Sequence, residues 1–323
     1  MIGLIVRRVL GAAATLLVLS IILFLMIQAL PGSPATSMLG QRATPELVAQ
    51  VNADFGLDQP ILQQYLHWLG GVVQGDFGYS LATAGRGGSL SEIPVSEIIV
   101  DGLKVTVPLA FLGMLLAVLI GLPLGVIAAM RRGQPSDASL SAMAMLGISM
   151  PDFFIGFLLI FVFSSTLGLL PSVVPADLFA SPLESLRALT LPILSIGLIN
   201  AAAVARMTRT SLLETIALDY VTLARARGAP ESVVVLKHAL RNAFVPILTV
   251  MGLQLGYLLG GVVVIEQLFG LPGLGRELLI AVGDRDYPTV QALVLTMATG
   301  FILVNLIVDL IYIRLDPAIK GTQ

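Results

Sequence analysis

The sequence predicts an all-α membrane protein with six transmembrane helices. Mean hydropathy is +0.95 and 12% of the residues are charged, against roughly 25% in soluble domains. Six windows are almost free of charge and approach the about 20 apolar residues that cross a bilayer. Lipid offers the backbone no hydrogen-bond partners, so each window is expected to be helical.

The first window runs from Val9 to Leu30, behind Arg7-Arg8. Basic residues ahead of an apolar run also mark signal peptides. This run is about twice a signal core in length and Leu30-Pro31-Gly32 is a poor cleavage site, so a retained helix is expected. Residues 31–104 are too long for a simple turn and read as a small domain on the outer side. Within them, Ile61 to Leu69 has helical apolar spacing, and Tyr65 and Trp68 suit a membrane interface. Thr83 to Ser91 is rich in Gly and Ser and reads as a mobile stretch. The second window is Val105 to Met130, where Pro108 and Pro123 are expected to kink the helix. Its glycines, and Gly260-Gly261 later in the chain, are expected to permit close helix packing. The third window lies within Ala138 to Ala176 and is interrupted only by Asp152, beside Pro151. Ala188 to Ala205 is a short fourth, Asn242 to Ile265 a fifth and Tyr287 to Val308 a sixth.

Basic residues set the orientation. With the N-terminus inside, twelve of the 18 Lys and Arg fall on the cytoplasmic side and six outside. Both termini are then cytoplasmic. Net charge is −2, which gives no basic field for nucleic acid. The absence of cysteine excludes disulfides and thiol chemistry. His67 and His238 are the two histidines and fall on opposite faces of this topology, so no metal site is expected.

Arg206 to Arg241 is a polar island between the fourth and fifth windows. Leu212, Ile216, Tyr220 and Leu223 keep helical spacing. Gly228 can take the left-handed conformation that ends a helix, and Pro230-Glu231 can open the next. The result is a helix-turn-helix elbow joined to two spans. It is either a docking element for a soluble partner or an ordinary charged loop lying on lipid headgroups.

The residues of this island carry a resemblance. Asp219-Tyr220-Val221-Thr222-Leu223-Ala224-Arg225-Ala226-Arg227-Gly228, then Lys237-His238-Ala239-Leu240-Arg241-Asn242-Ala243, is similar to the "EAA" loop of binding-protein-dependent ABC importers. The match is to the variant of the oligopeptide and dipeptide permeases. Thr222-Leu223-Ala224 stands at the E-A-A triplet and His238 to Arg241 at I-x-L-P, so Ala224, Gly228 and Leu240 alone keep the broad consensus. The resemblance extends over nearly the whole chain. It includes Pro31-Gly32-Ser33-Pro34, Gly56-Leu57-Asp58-Gln59-Pro60, Gly75 to Ser80, Ser149-Met150-Pro151, Glu266 to Gly275, Arg285-Asp286-Tyr287-Pro288, and Asn305 to Tyr312 followed by Leu315-Asp316-Pro317.

The resemblance implies a type I importer permease fold with an extra extracytoplasmic domain between helices 1 and 2. Residues 1–30 would form the N-terminus and first helix, 31–104 the extracytoplasmic domain, and 105–323 a five-helix core with its coupling loop at 206–241. It implies the first of two related permease subunits in a bacterial or archaeal cytoplasmic membrane. The implied partners are the second permease, two ATPase subunits and an extracytoplasmic binding protein. ATP and Mg would sit on the ATPases, since this chain has no G-x-x-x-x-G-K-[ST] loop to cradle phosphates; the chain itself would hold no cofactor and would not be an enzyme. Asp219, Tyr220, Ala224, Arg225, Arg227, Gly228, Glu231, His238 and Arg241 would couple to the ATPases.

Asp152, the one acid deep in a span, either meets substrate in the pathway or makes a structural contact at the Pro151 break. Asn200 and Gln254 line the pathway or bond between helices. Glu266, Arg276, Asp284, Arg285 and Asp286 form an outer gate or binding-protein contact, or else a solvated ion-pair cluster. Asp309 is expected to be a structural anchor. Related systems carry di- and oligopeptides, glutathione, nickel complexes or opines. The competing classes are a self-sufficient secondary transporter or channel, against which stands the lack of a visible repeat, and a membrane receptor or scaffold.

Overall fold

The computed structural model describes residues 2–29, 35–36, 43–54, 56, 58–80, 93–174, 181–260 and 262–315. The Pro31 to Pro34 motif, the Thr83 to Ser91 stretch, Gly261 and Asp316-Pro317 lie outside them. In chain order the helices are α1 (Ile2–Gln28), α2 (Pro45–Asp54), α3 (Ile61–Gln74) and α4 (Val95–Met130). Then come α5 (Pro135–Ser149), α6 (Asp152–Leu159), α7 (Pro182–Ile216) and α8 (Asp219–Ala226). α9 is Glu231–Leu259 and carries a π-helical turn at Val234–Ala239. α10 (Val263–Phe269), α11 (Leu274–Gly283) and α12 (Tyr287–Leu315) complete the chain.

Five of these helices, α1, α4, α7, α9 and α12, are long and apolar enough to cross a membrane. The sixth span is a broken one. α5 and α6 pass the same test together but meet at 101°. The cause is local: Pro151 disfavours helical backbone at the residue before it, and Met150 is extended at φ −86°, ψ 134°. The single third span read from the sequence is therefore two helices. α6 itself continues through a π-helical turn, Ile160–Thr166.

Other boundaries shift for equally local reasons. The short fourth window ends where Arg206 and Arg209 begin, but the α7 backbone runs on to Ile216 and so reaches the elbow as one rigid rod. The fifth window overran its helix. Gly260 stops α9, its N–H bonding to the Gly256 carbonyl, and Ile265 belongs to α10. Pro108 and Pro123 lie inside α4, which runs through both as one helix.

Two compact units divide the described chain. One is drawn from Ile2–Thr106 and Pro272–Ile302. There α3 lies on α1: Ser20 Oγ and Tyr65 Oη are 2.9 Å apart, Gln28 Nε2 donates to Gln64 Oε1 at 2.8 Å, and Phe24, Tyr65 and Trp68 stack. Its core gathers Val95, Ile99, Leu274, Ala292, Leu293 and Met297. The other unit is drawn from Val107–Leu271 and from Leu303 onward. There α7 is central. α4 packs along it through Gly113, Gly121 and Gly125, where an added Cβ would lie 2.5–2.7 Å from Ile196, Ala201 and Ala205. α5 meets α7 at Gly147 and Ala202, and α12 meets α9 at Gly252 and Val308.

Candidate coupling elbow

The elbow is built by α8, the turn at residues 227–230, and the start of α9. Each boundary has a chemical cause. α8 opens with Asp219, an acid at the positive end of the helix dipole, and ends at Gly228, whose φ is +82°. Only glycine takes that conformation without cost. Pro230 stands just before Glu231, the first residue of the next helix, where a missing N–H does no harm.

Both legs of the elbow share one core. Val221 is fully buried against Val234, Val235, Ala239 and Ala243, with Leu212 from α7 and Val126 and Ala129 from α4. Ala224 packs on this cluster from the partly buried side, so its small side chain serves close approach inside the elbow. Across the turn, Arg225 Nε and Nη2 donate to the two Glu231 carboxylate oxygens at 3.0 and 2.6 Å. That pairing raises the Arg225 guanidinium above its ordinary pKa, chiefly through the hydrogen bond. Both side chains stay open to solvent, so the pair shapes the turn more than it stabilises it.

At the far end of the legs, Asn242 Nδ2 donates to Tyr220 Oη at 2.8 Å, and Tyr220 Oη donates to the His238 carbonyl at 3.3 Å. The exposed surface of the elbow includes Asp219, Tyr220, Arg225, Arg227, Gly228, Glu231 and Arg241, while His238 is half-buried. Leu218, Leu223 and Val233 are also exposed there. Leu223 is part of the stripe read from the sequence, whereas Leu218 and Val233 carry no reading there, because exposure of an apolar side chain is not visible until the helix phase is known.

The polar residues of the spans divide. Asp152 is the first residue of α6, at the break, and is half-buried. Asn200 Nδ2 donates back to the Ile196 carbonyl of its own helix at 2.8 Å. Gln254 Oε1 is buried with no hydrogen-bond partner among the described residues. The five acidic and basic residues expected in an outer cluster do not share one environment. Asp284 and Arg285 are exposed, whereas Glu266 and Asp286 are buried. Asp286 caps α12, accepting hydroxyl hydrogen bonds from Ser80 at 2.5 Å and Thr289 at 2.8 Å. Glu277, which was not singled out, is half-buried, and burial pushes its carboxyl pKa up against the opposing pull of Arg276. No three His, Asp or Glu side chains gather as metal ligands among the described residues.

Five long spans, a broken sixth and a helix-turn-helix elbow define the permease subunit of an ABC importer. The chain belongs to the binding-protein-dependent transport system inner membrane component family, which matches residues 121–321. The N-terminal component of such systems matches residues 1–110. The chain is 41% identical over 320 residues to the glutathione transport system permease protein GsiC of Escherichia coli (strain K12), covering 99% of each chain. It is 42% identical, over the same length and share, to GsiC of Salmonella typhimurium. Among solved structures, the inward-facing MetNI methionine ABC transporter matches with a TM-score of 0.55 at 23% identity, covering 68% of this chain and 97% of that one. An amino acid ABC transporter crystallised with histidines matches at 0.52 and 20% identity, covering 68% and 94%. These two likenesses concern the fold. The protein is a multi-pass inner-membrane permease.

Proposed function

We propose that this chain is the first of two permease subunits in an ATP-driven importer of short peptides, and that residues 206–241 couple it to a separate ATPase. The observation that carries the reading is the elbow: two legs on one core, an exposed polar and apolar face, and a rigid connection into α7 and α9. Substrate would reach the pathway from an extracytoplasmic binding protein, and ATP with Mg would act on two ATPase subunits below. ATP binding favours one arrangement of the ATPases, and that preference biases the permease between inward- and outward-facing states. Asp219, Arg225, Arg227, Glu231 and Arg241 form the docking face, together with Leu218, Leu223 and Val233. Asp152 and Gln254 are the pathway candidates, since neither carboxylate nor amide is explained by packing alone.

Glutathione is the favoured member of the peptide class, on the strength of the relatives named for it. The test is co-purification from native membranes in mild detergent. Recovery of a second permease, ATPase subunits and a binding protein supports the proposal. Uptake of labelled glutathione and of labelled dipeptides by the reconstituted assembly then separates the substrates. Recovery of this chain alone, without ATPase, would sink it.

In this reading the elbow lies on the cytoplasmic side with both termini, supported by the bias of Lys and Arg to that side. The chain has no cysteine, so single cysteines report cleanly. Ser232→Cys on the elbow should react with an impermeant maleimide in inverted vesicles and not in intact spheroplasts, and Gln74→Cys at the end of α3 should do the reverse. The opposite pattern would invert the topology.

Gly228 tests coupling directly. A Cβ there would meet nothing within 4 Å, so a side chain costs only backbone strain, about 1–2 kcal/mol in the left-handed region. Asparagine tolerates that region and valine does not. Gly228→Val should leave the chain folded and inserted but abolish uptake, while Gly228→Asn keeps most of it. Normal uptake by the valine variant would remove the elbow from the mechanism.

A further inference from the structure

We propose that Tyr220 and Asn242 are positioning residues, and that the hydrogen bond between them transmits motion of α8 to the span begun by α9. The proposal rests on the coupling reading above and adds a residue, Asn242, that lies outside the docking face.

The geometry is that of a triangle closed at two corners. At the tip, Arg225 and Glu231 bridge the turn six residues apart. At the base, Tyr220 stands near the start of α8, 22 residues from Asn242, where α9 runs on towards its apolar stretch. Between the corners, Val221 touches the second leg by apolar packing alone. Such packing resists separation but has little directionality. A hydrogen bond fixes both distance and angle. The base therefore decides whether a push on α8 rotates α9 or slides past it.

Tyr220 is suited to this work. Its hydroxyl has one proton and accepts through its lone pairs. The proton goes to the His238 carbonyl and a lone pair takes the Asn242 amide, so the hydroxyl is used inside the chain. His238 lies in the π-helical turn Val234–Ala239, a wider turn of the kind often found where a helix is functionally adjusted. The tie thus grips the irregular stretch where α9 is most able to change register.

The assay uses the complete reconstituted complex and reads substrate transported per ATP hydrolysed. Tyr220→Phe and Asn242→Leu should each lower that ratio about threefold to tenfold, the weight of one hydrogen bond in an equilibrium. ATPase subunits should co-purify undiminished with both. The double variant should be no worse than Tyr220→Phe alone, because that variant already removes the bond to Asn242 along with the one to the His238 carbonyl. Asn242→Asp should keep part of the ratio that Asn242→Leu loses, since its carboxylate can accept the single tyrosine proton, at the expense of the bond to the His238 carbonyl. An unchanged ratio in both single variants overturns the proposal. So does loss of ATPase binding by Tyr220→Phe, which would make the hydroxyl a docking contact. A wild-type chain that binds no ATPase would instead overturn the coupling reading itself.

Discussion

Asp137→Ala is expected to destabilise the folded chain by about 3 kcal/mol, the low end for breaking a buried ion pair. The Arg209 guanidinium holds the Asp137 carboxylate on both oxygens, at 2.6 and 2.9 Å. Gly133 donates its backbone N–H at 3.1 Å and Ser141 its hydroxyl at 3.3 Å. One carboxylate thereby joins the α4–α5 turn, the first turns of α5, and α7 shortly before the elbow. Its side chain is 8% exposed and that of Arg209 is 29% exposed. Removing the acid leaves a guanidinium half out of water with no counter-charge. The low end of the range applies because the arginine keeps some solvent. The measurement is the thermal midpoint of the detergent-solubilised chain and the folded yield from membranes. Asp137→Ala should lower both, and Asp137→Ala with Arg209→Leu should recover part of the loss, since no lone charge remains. A single variant as stable as wild type would show that the pair contributes nothing.

This clamp illustrates where sequence reading stops. Asp137 and Arg209 are 72 residues apart, and no periodic pattern joins them. Their meeting depends on how α5 is rotated against α7, which tertiary packing alone decides. The same holds for Ser80 and Asp286, 206 residues apart, and for Tyr220 and Asn242. In each case the residues are ordinary by type, and the information lies in the pairing.

What was legible obeyed local rules. Gly228 and Pro230 punctuate the elbow because φ and a missing N–H are properties of single residues. Spans were legible because hydropathy adds along a window. The break in the third span was half legible. Pro151 announced a disturbance, but its size depends on the extended backbone of Met150 and Pro151. Charge alone left the outer cluster open. Glu266 and Asp286 read either as gate or binding-protein contacts or as part of a solvated ion-pair cluster, and both are buried; at Asp286 a capped helix start and neighbouring hydroxyls satisfy an acid that composition would place in water. Conversely, Leu223 reads as part of an apolar stripe, and the structure leaves it exposed.

Gly125→Val is expected to prevent stable folding, with a cost of about 3 kcal/mol or more, at the top of the overpacking range. Gly121 and Gly125 are four apart and share one face of α4. They face Ala201 and Ala205, also four apart, on α7. Small residues on both helices let the backbones approach, the arrangement by which spans associate when lipid removes any hydrophobic preference. A Cβ on Gly125 would lie 2.5 Å from the Ala205 carbonyl oxygen and 2.5 Å from Thr208 Cβ; on Gly121 it would lie 2.5 Å from the Ala201 carbonyl oxygen. A flexible side chain can turn away from such an intruder, but a carbonyl inside a helix cannot move without the helix. α7 also carries Arg209 and supports the elbow, so displacement here disturbs the clamp as well. Gly125→Val should give little folded protein in detergent, and Gly125→Ala an intermediate loss. Gly11→Ala supplies the contrast: it lies within α1, and its Cβ would meet nothing within 4 Å. That substitution should be neutral or slightly stabilising, because glycine costs helix stability in the unfolded chain. Equal behaviour of Gly11→Ala and Gly125→Ala would mean that glycine content, and not the approach of α4 to α7, sets the stability of this region.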